Sequence, residues 1–405
     1  MRVKIERSKP IGALNAPPSK SMAHRLLICA GLANGKSRIT GIAPSQDVLA
    51  TIDCLRAIGA RCRYEGDVVE MEGVDARKMK INETLACREC GSTLRFFIPI
   101  ALLSADTARF TGSERLMERP LGIYEQICRE RGLRYEREGN TLLVQGKLFG
   151  GIYEVAGNIS SQFISGLLFA LPLMEGDSEI RLTGGVESRA YIDLTLSAMA
   201  QFGVVAEWRA ENVLVVKGGQ RYCPREAEVE GDYSNAAFFE ALNLMGGDVR
   251  IEGLSTESLQ GDRVYLNCFR ELAAGFATLD VAECPDLAPI LMAVAAECHG
   301  ARLTGTARLR FKESDRGVVM AEELSKLGAK IEVGEQEIIV HPSTLSAPRE
   351  ILSGHNDHRI VMALSALLVR YGGEIEGAEA VAKSMPDFFE ALESTGVKIE
   401  RYDIG

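Results

Sequence analysis

The run A-R-L-T-G at 301–305 decides how this chain folds, because it has close kin throughout the sequence. S-R-I-T-G stands at 37–41, A-R-F-T-G at 108–112, I-R-L-T-G at 180–184, V-R-I-E-G at 249–253 and G-E-I-E-G at 373–377. Each is a short alternation of apolar and polar residues, the period of a half-buried strand, and each ends in glycine, the residue of turns. The closing residues Gly41, Gly112, Gly184, Gly253, Gly305 and Gly377 are spaced by 71, 72, 69, 52 and 72 positions. Such a period reads as six copies of one supersecondary unit that cannot bury its apolar face alone.

The surroundings of each strand repeat as well. Upstream lies an apolar helical stretch with a polar or charged first turn: Lys20-Ser21, Ser92-Thr93, Ser160-Ser161-Gln162, Asp232-Tyr233-Ser234, Asp286 and Asn356-Asp357. Five of these helices are expected to run out at Gly35, Gly176, Gly246, Gly300 and Gly372. Downstream, a second helical pattern closes at Gly59, Gly132, Gly203, Gly328 or Gly396, usually before an alternating strand such as V-V-A-E-W at 204–208. Each copy therefore reads as helix, strand, helix, hairpin. The fourth has only Gly275 at the second closure, and its short spacing predicts the loss of a hairpin. Six copies most simply make two domains of three. Pro224 and the charged run at 225–231 interrupt the pattern, and Pro17-Pro18 marks a second crossing. The expected division is one lobe of 17–227 inserted into a discontinuous lobe of 1–16 plus 228–405, with a cleft between them.

Composition bounds the class. Of 405 residues, 46% are hydrophobic and 25% charged, which excludes a disordered, collagenous or coiled-coil chain. The longest apolar stretches, 163–174 and 361–369, fall short of the ~18 residues that cross a bilayer, and residues 1–10 lack the apolar core of a signal peptide. A cytoplasmic location with no membrane partner is the expectation. The net charge of −10 argues against nucleic acid, whose affinity comes from neutralising phosphates with Lys and Arg. Among ten cysteines only Cys87 and Cys90 form a C-x-x-C pair, with no clustered histidine, so zinc is not expected.

Ser, Thr, Asp and Asn at a helix start are ordinarily caps. Three starts carry more than a cap needs: Lys20-Ser21 with Arg25 one turn on, Ser160-Ser161-Gln162, and Asp357-His358-Arg359. If the repeat aims several helix N-termini at one place, their free N–H groups and positive dipole ends make an anion site. A second charged set follows the strand ends, with Asp47, Arg119, Ser188-Arg189, Lys312-Glu313 with Arg316, and Lys383. The cations Lys20, Arg25, Arg119, Lys312, Arg316, Arg359 and Lys383 in an acidic chain point to a ligand with several negative charges. Asp286 and Glu313 in the same positions suit acid–base work, since nearby cations lower a carboxylate pKa while burial raises it. The Walker, dinucleotide-binding and G-x-S-x-G patterns are missing from the sequence.

The ordered motifs P-S-K-S-M-A-H-R (18–25), G-S-T-L-R (91–95), E-R-P (118–120), S-S-Q-F (160–163), S-R-A-Y-I-D (188–193), P-D (285–286), K-E-S-D-R (312–316), N-D-H-R (356–359) and K-S-M-P-D-F (383–388) resemble those of the 5-enolpyruvylshikimate-3-phosphate synthases. The resemblance spans nearly the whole chain. It implies an α/β (α+β) fold, a two-lobed inside-out α/β barrel of six βαβαββ-type repeats, three per lobe, with the fourth shortened here. It implies transfer of the enolpyruvyl group of phosphoenolpyruvate to the 5-hydroxyl of shikimate 3-phosphate through a tetrahedral intermediate, by a monomer that needs no metal or organic cofactor. By position, Lys20, Ser21, Arg25, Ser160, Ser161, Gln162, Ser188, Tyr191, Asp286 and Lys312 look like the shikimate-phosphate contacts. Lys20, Gly91, Arg119, Gln162, Arg316, Arg359 and Lys383 look like those to phosphoenolpyruvate. Asp286 resembles the base and Glu313 the acid, and Lys20 and His358 complete the implied catalytic set.

The sequence departs from that pattern at Pro18, Glu89, Ser92 and Arg308, where the family commonly has Gly, Asn, Thr and Asn. The nearest rival is the sister transferase acting on UDP-N-acetylglucosamine, which usually carries a reactive cysteine before its R-P pair. Residues 113–118, S-E-R-L-M-E, contain none. A non-catalytic anion-binding protein with the same repeats is the rival from another class.

Overall fold

A computed structural model describes residues 1–81 and 83–402 of the chain. It divides into two compact units, one of Lys20–Glu230 and one of Met1–Ser19 with Gly231–Gly405. Each has its own apolar core.

Five of the six repeats build a four-stranded sheet of one topology, in which a parallel pair is followed by two antiparallel partners. In the third repeat Gly151–Ala156 pairs in parallel with Ser178–Thr183, with Val155 opposite Leu182. Val213–Val216 then pairs antiparallel with Ser178–Thr183, and Ala206–Ala210 forms the edge. A parallel pair needs a crossover, and the helix Ser161–Ala170 supplies it. The repeat thus includes a leading strand that the helix-strand-helix-hairpin reading lacked. The fourth repeat has only the parallel pair Ile11–Asn15 with Asp248–Glu252, and after the helix Tyr265–Ala274 the chain passes directly to the first strand of the next copy. The expected loss of a hairpin is what the strands show.

Three strands come from outside their repeat's own stretch of chain. Glu226–Glu228 returns to lead the first sheet beside Lys36–Thr40. Arg2–Ile5 inserts between Gly373–Glu376 and Ile399–Tyr402, and Ile11–Asn15 leads the fourth repeat. These pairings are why the first nineteen residues belong with 231–405.

Every repeat holds one helix buried almost all round and one that is amphipathic. The first kind comprises Lys20–Gly31, Gly91–Ala101, Ser161–Ala170, Tyr233–Leu244, Ala288–Glu297 and His358–Tyr371. A helix apolar on all faces is stable only inside a core, so these carry the interior of each unit. Their polar first turns are the places where the sequence stops being apolar. Five of the six strand-closing glycines sit at φ between 70° and 82°, where a side chain would be strained. Gly112 is the exception, kept by crowding: a Cβ there would lie 2.7 Å from Leu116 Cδ2.

Candidate active site

In the 20–230 unit the starts of two buried helices meet through polar contacts. Cys90 caps the helix Gly91–Ala101 through Thr93 N–H, and Ser160 caps Ser161–Ala170 through Gln162 N–H. Gln162 Oε1 accepts from Arg95 Nη1 at 2.8 Å while its Nε2 donates to Ser92 Oγ at 2.9 Å. Arg95 also donates to the Pro120 carbonyl and lies over the Phe163 ring. Arg119 is the C-cap of the short helix Glu114–Glu118. It is 9% exposed, and its Nε is buried without a hydrogen-bond partner. The two guanidiniums converge where Gly91 has no side chain, for a Cβ there would stand 2.5 Å from Arg119 Nη1 and 2.9 Å from Arg95 Nη1. Two cations at a helix N-terminus make a strong anion cradle.

Lys20 Nζ pairs with Asp47 Oδ2 at 2.8 Å. Asp47, His24 and Cys90 bring ligand atoms within 4.8 Å of one another, but the ammonium already holds Asp47, and His24 Nδ1 bonds Thr51 Oγ1 at 2.7 Å. Burial first, then Lys20 and Arg25, pushes His24 well below the usual histidine range, so its ring is neutral. Burial, with Asp47 second, raises the Cys90 thiol to about 12, which leaves it inert as a nucleophile.

Arg25 is buried and already engaged on every nitrogen: Nε with Thr195 Oγ1, Nη1 with the Ser21 carbonyl and Nη2 with the Tyr191 carbonyl. It ties the starts of two helices together. Ser188 is buried at φ 58°, one of four non-glycine residues with left-handed backbone among the described residues; the others, Arg88, His355 and Asn356, also precede helix starts that carry expected site residues. Strain of this kind gathers at functional sites.

The other unit gathers the acids. Arg316 is 1% exposed, and its guanidinium meets Asp357 Oδ2 through Nε, Asp286 Oδ1 through Nη1 and Glu313 Oε2 through Nη2, each at 2.8 Å. Asp286 also meets Lys312 Nζ at 3.0 Å and Arg359 Nη2 at 3.3 Å. Burial works to raise the Asp286 carboxyl, yet Arg359, Lys312 and Arg316 together hold it well below the ordinary carboxylate range. Burial likewise lowers the Lys312 ammonium, against the pull of Asp286. Asp286 is not a cap: Leu287 occupies the N-cap of Ala288–Glu297. Asp357 caps His358–Tyr371 through Arg359 N–H, and Arg359 Nη1 donates to Ser234 Oγ and the Asp286 carbonyl. Lys383 Nζ donates to the Asn356 carbonyl at 2.6 Å. His358, buried, opens its helix with Nδ1 3.9 Å from Asp357 Oδ1.

The structure thus groups Lys20, Ser21, Arg25, Gly91, Arg119, Ser160, Ser161, Gln162, Ser188 and Tyr191 in one unit. Asp286, Lys312, Glu313, Arg316, His358, Arg359 and Lys383 lie in the other. Sequence reasoning gave no role to Arg95 or Asp357. The available signal was a charge inside the apolar run L-R-F-F at 94–97, and an acid beside the N-H-R cations.

Repeated βα units with cation-lined helix starts and a carboxylate set among cations define an enzyme class that works on small polyanions. The comparisons narrow it. The family model for EPSP synthase (3-phosphoshikimate 1-carboxyvinyltransferase) matches residues 6–392. The chain is similar to the 3-phosphoshikimate 1-carboxyvinyltransferase of Clostridioides difficile at 39% identity over 434 residues, and to that of Clostridium kluyveri at 37% over 429, covering 100% of this chain and 99% of each relative. Among solved structures it resembles EPSP synthase from Acinetobacter baumannii, with a TM-score of 0.80 and 24% identity over 99% of this chain and 100% of that one. A second structure of an Acinetobacter baumannii EPSP synthase matches with a TM-score of 0.81 and 23% identity over the full length of both. The chain belongs to the EPSP synthase family, and it is a transferase.

Proposed function

We propose that this enzyme moves the enolpyruvyl group of phosphoenolpyruvate to the 5-hydroxyl of shikimate 3-phosphate. The observation that carries the reading is the guanidinium pair over Gly91, with Arg119 buried and its Nε unsatisfied. A buried guanidinium N–H that lacks a partner is costly unless an acceptor arrives. Phosphoenolpyruvate carries phosphate and carboxylate on three carbons, so Lys20, Arg119, Arg316, Arg359 and Lys383 are assigned to it, with Gly91 and Gln162 shaping the cradle. Ser21, Arg25, Ser160, Ser161, Ser188, Tyr191 and Lys312 are assigned to shikimate 3-phosphate.

Asp286 takes the 5-hydroxyl proton as the oxygen attacks C2, and Glu313 delivers a proton to C3, giving a tetrahedral intermediate. Glu313 then takes a proton back from C3 as the C2–O bond breaks, the oxygen and its electron pair leaving with phosphorus as phosphate. Asp286, held ionised by three cations, suits the base, and Arg316 fixes both acids from behind through separate nitrogens. Lys20 and His358 flank these steps as members of the catalytic set.

The rival on UDP-N-acetylglucosamine is disfavoured because the helix Glu114–Glu118 and its cap Ser113 hold no thiol, and burial keeps the Cys90 thiol protonated. Phosphate release from phosphoenolpyruvate is the test. Release with shikimate 3-phosphate but not with the UDP-sugar is expected, and the reverse preference refutes the reading. The net charge of −10 argues against nucleic acid as a partner and leaves room for a small anion in a local basic pocket. Among the described residues no helix is long and apolar enough to cross a membrane. We infer a cytoplasmic monomer, for which light scattering should return a mass near 44.0 kDa.

A further inference from the structure

Glu323, on the helix Arg316–Lys326, is a carboxylate that the reaction does not use, yet it is 0% exposed. Its Oε1 accepts from His355 Nε2 at 2.8 Å and its Oε2 from Ser353 N–H at 2.9 Å. Lys326 Nζ lies 2.9 Å from both oxygens. Glu322, Glu323 and His355 have the spacing of a metal-ligand set, but the Lys326 ammonium already occupies both Glu323 oxygens, so the group is an ion-pair hub and not a cation site.

What the hub grips is a bend. His355 and Asn356 are consecutive non-glycine residues in left-handed backbone, at φ 46° and 52°. Such a conformation persists only where neighbours over-determine it. Glu323 does so twice, through the backbone of Ser353 and the side chain of His355. Immediately after the bend come three tethers. The Asn356 carbonyl takes Lys383 Nζ at 2.6 Å, and Asp357 takes Arg316 Nε at 2.8 Å and caps the helix through Arg359 N–H at 3.0 Å. Ser314 Oγ adds a fourth contact to Asp357 Oδ2 at 3.0 Å.

We propose that Glu323, acting through His355, is a positioning residue for the phosphoenolpyruvate-binding cations. It holds residues 353–357 in the bend that presents one carbonyl to Lys383 and one carboxylate to the Arg316 guanidinium and the Arg359 backbone N–H. The inference rests on the assignment of those cations to phosphoenolpyruvate. Because the side chains of Lys383 and Arg316 are tethered to the consecutive residues Asn356 and Asp357, release of the bend displaces both together, and binding of that substrate weakens while binding of shikimate 3-phosphate alone does not.

The test uses the full-length enzyme with Glu323→Gln, with His355→Asn and with both. Asn tolerates the left-handed backbone but is too short to reach Glu323. Lys326→Met serves as a control that touches Glu323 and not the bend. Each single variant in the pair is expected to raise KM for phosphoenolpyruvate about tenfold, the low end of the loss seen when supporting contacts around a binding centre are removed. Changes in kcat and in the calorimetric Kd for shikimate 3-phosphate should stay within about twofold, as should every constant of the control. The double variant should be no worse than the worse single, since both act through one contact. A merely structural role lowers the thermal midpoint and kcat while KM for phosphoenolpyruvate holds, and that result overturns the proposal, as do multiplicative effects in the double variant. If Glu323→Gln does not fold, His355→Asn carries the test, its parent side chain being 24% exposed. A wild-type enzyme that releases no phosphate with these substrates sinks the functional reading and the proposal together. An active wild type with unchanged variants sinks the proposal alone.

Discussion

Gly91→Ala perturbs the anion cradle and little else. Gly91 is the first residue of its helix, where alanine is favoured over glycine by up to ~1 kcal/mol, so the backbone has no reason to object. The new Cβ would lie 2.5 Å from Arg119 Nη1 and 2.9 Å from its Cζ. Ordinary contacts between such atoms sit near ~3.5 Å, so one partner must move by about 1 Å. The new Cβ meets Arg119 at the shorter distance, and Arg95 is held by Gln162, the Pro120 carbonyl and the Phe163 ring, so Arg119 moves. A misplacement of about 1 Å in a positioning group costs on the order of 10²-fold, which sets the expected loss in kcat/KM for phosphoenolpyruvate. That is about 2.7 kcal/mol of transition-state stabilisation. Phosphate release measured against phosphoenolpyruvate at saturating shikimate 3-phosphate reads the loss, and calorimetry with shikimate 3-phosphate alone supplies the reference. The thermal midpoint should hold or rise. A KM for phosphoenolpyruvate within about threefold of wild type, or an equal loss of shikimate 3-phosphate affinity, would refute the assignment of this cradle.

Arg316→Lys leaves the fully buried Asp357 facing a single ammonium where a three-way fork stood, so denaturant unfolding should show a loss of roughly 3–5 kcal/mol, and a loss under about 1 kcal/mol would count against the hub. His24 is neutral when folded but protonates near ~6.5 when unfolded, so unfolding takes up a proton as pH falls below that value and stability drops with it. His24→Gln should flatten stability against pH below about 6.5, and an unchanged slope would contradict the buried neutral ring. Of the ten thiols only Cys223 is exposed, with Cys62 and Cys298 partly so, while burial raises Cys29, Cys87, Cys90 and Cys284. A thiol titration of the native enzyme should therefore give one fast reaction, abolished by Cys223→Ser, and rapid labelling of Cys87 or Cys90 would be inconsistent with this packing.

The repeat was legible because its marks are local. A glycine forced to φ near 70° after an alternating strand, and a polar turn before an all-apolar helix, are each written within a few residues. The leading strands were not, because Leu85–Ala86, Glu226–Glu228 and Leu352–Ser353 are two or three residues long and carry no readable period. Nor was the division of the first fifteen residues between two sheets, which depends on partners more than two hundred positions away. Cations at helix starts were visible as candidates, but their engagement was not. Arg25 and Arg316 look alike in sequence to Arg119, yet two are saturated by protein groups and one is not. That difference depends on what each guanidinium meets across the core, which spacing does not encode.

Buried arginines of the two units are held differently, and the contrast bears on how Asp286 becomes a base. In 20–230, Arg25 and Arg95 face carbonyls, a hydroxyl and an amide. In the other unit Lys312, Arg316 and Arg359 all face Asp286. An anionic substrate arriving there competes with that carboxylate for its cations. Each cation drawn away removes an influence that favours the ionised form, while burial, which opposes ionisation, remains. Arg316 cannot follow, being pinned by Asp357 and Glu313, so the rise is bounded. Asp286 is therefore a weak base in the free enzyme and a stronger one once substrate has taken Lys312 and Arg359. The acid limb of kcat, which reports the complex, should lie at higher pH than that of kcat/KM, which reports the free enzyme, and Asp286→Asn should abolish the difference and cut turnover by about 10²-fold or more. Coincident limbs, or an Asp286→Asn enzyme within tenfold of wild type, would show that another group takes the hydroxyl proton.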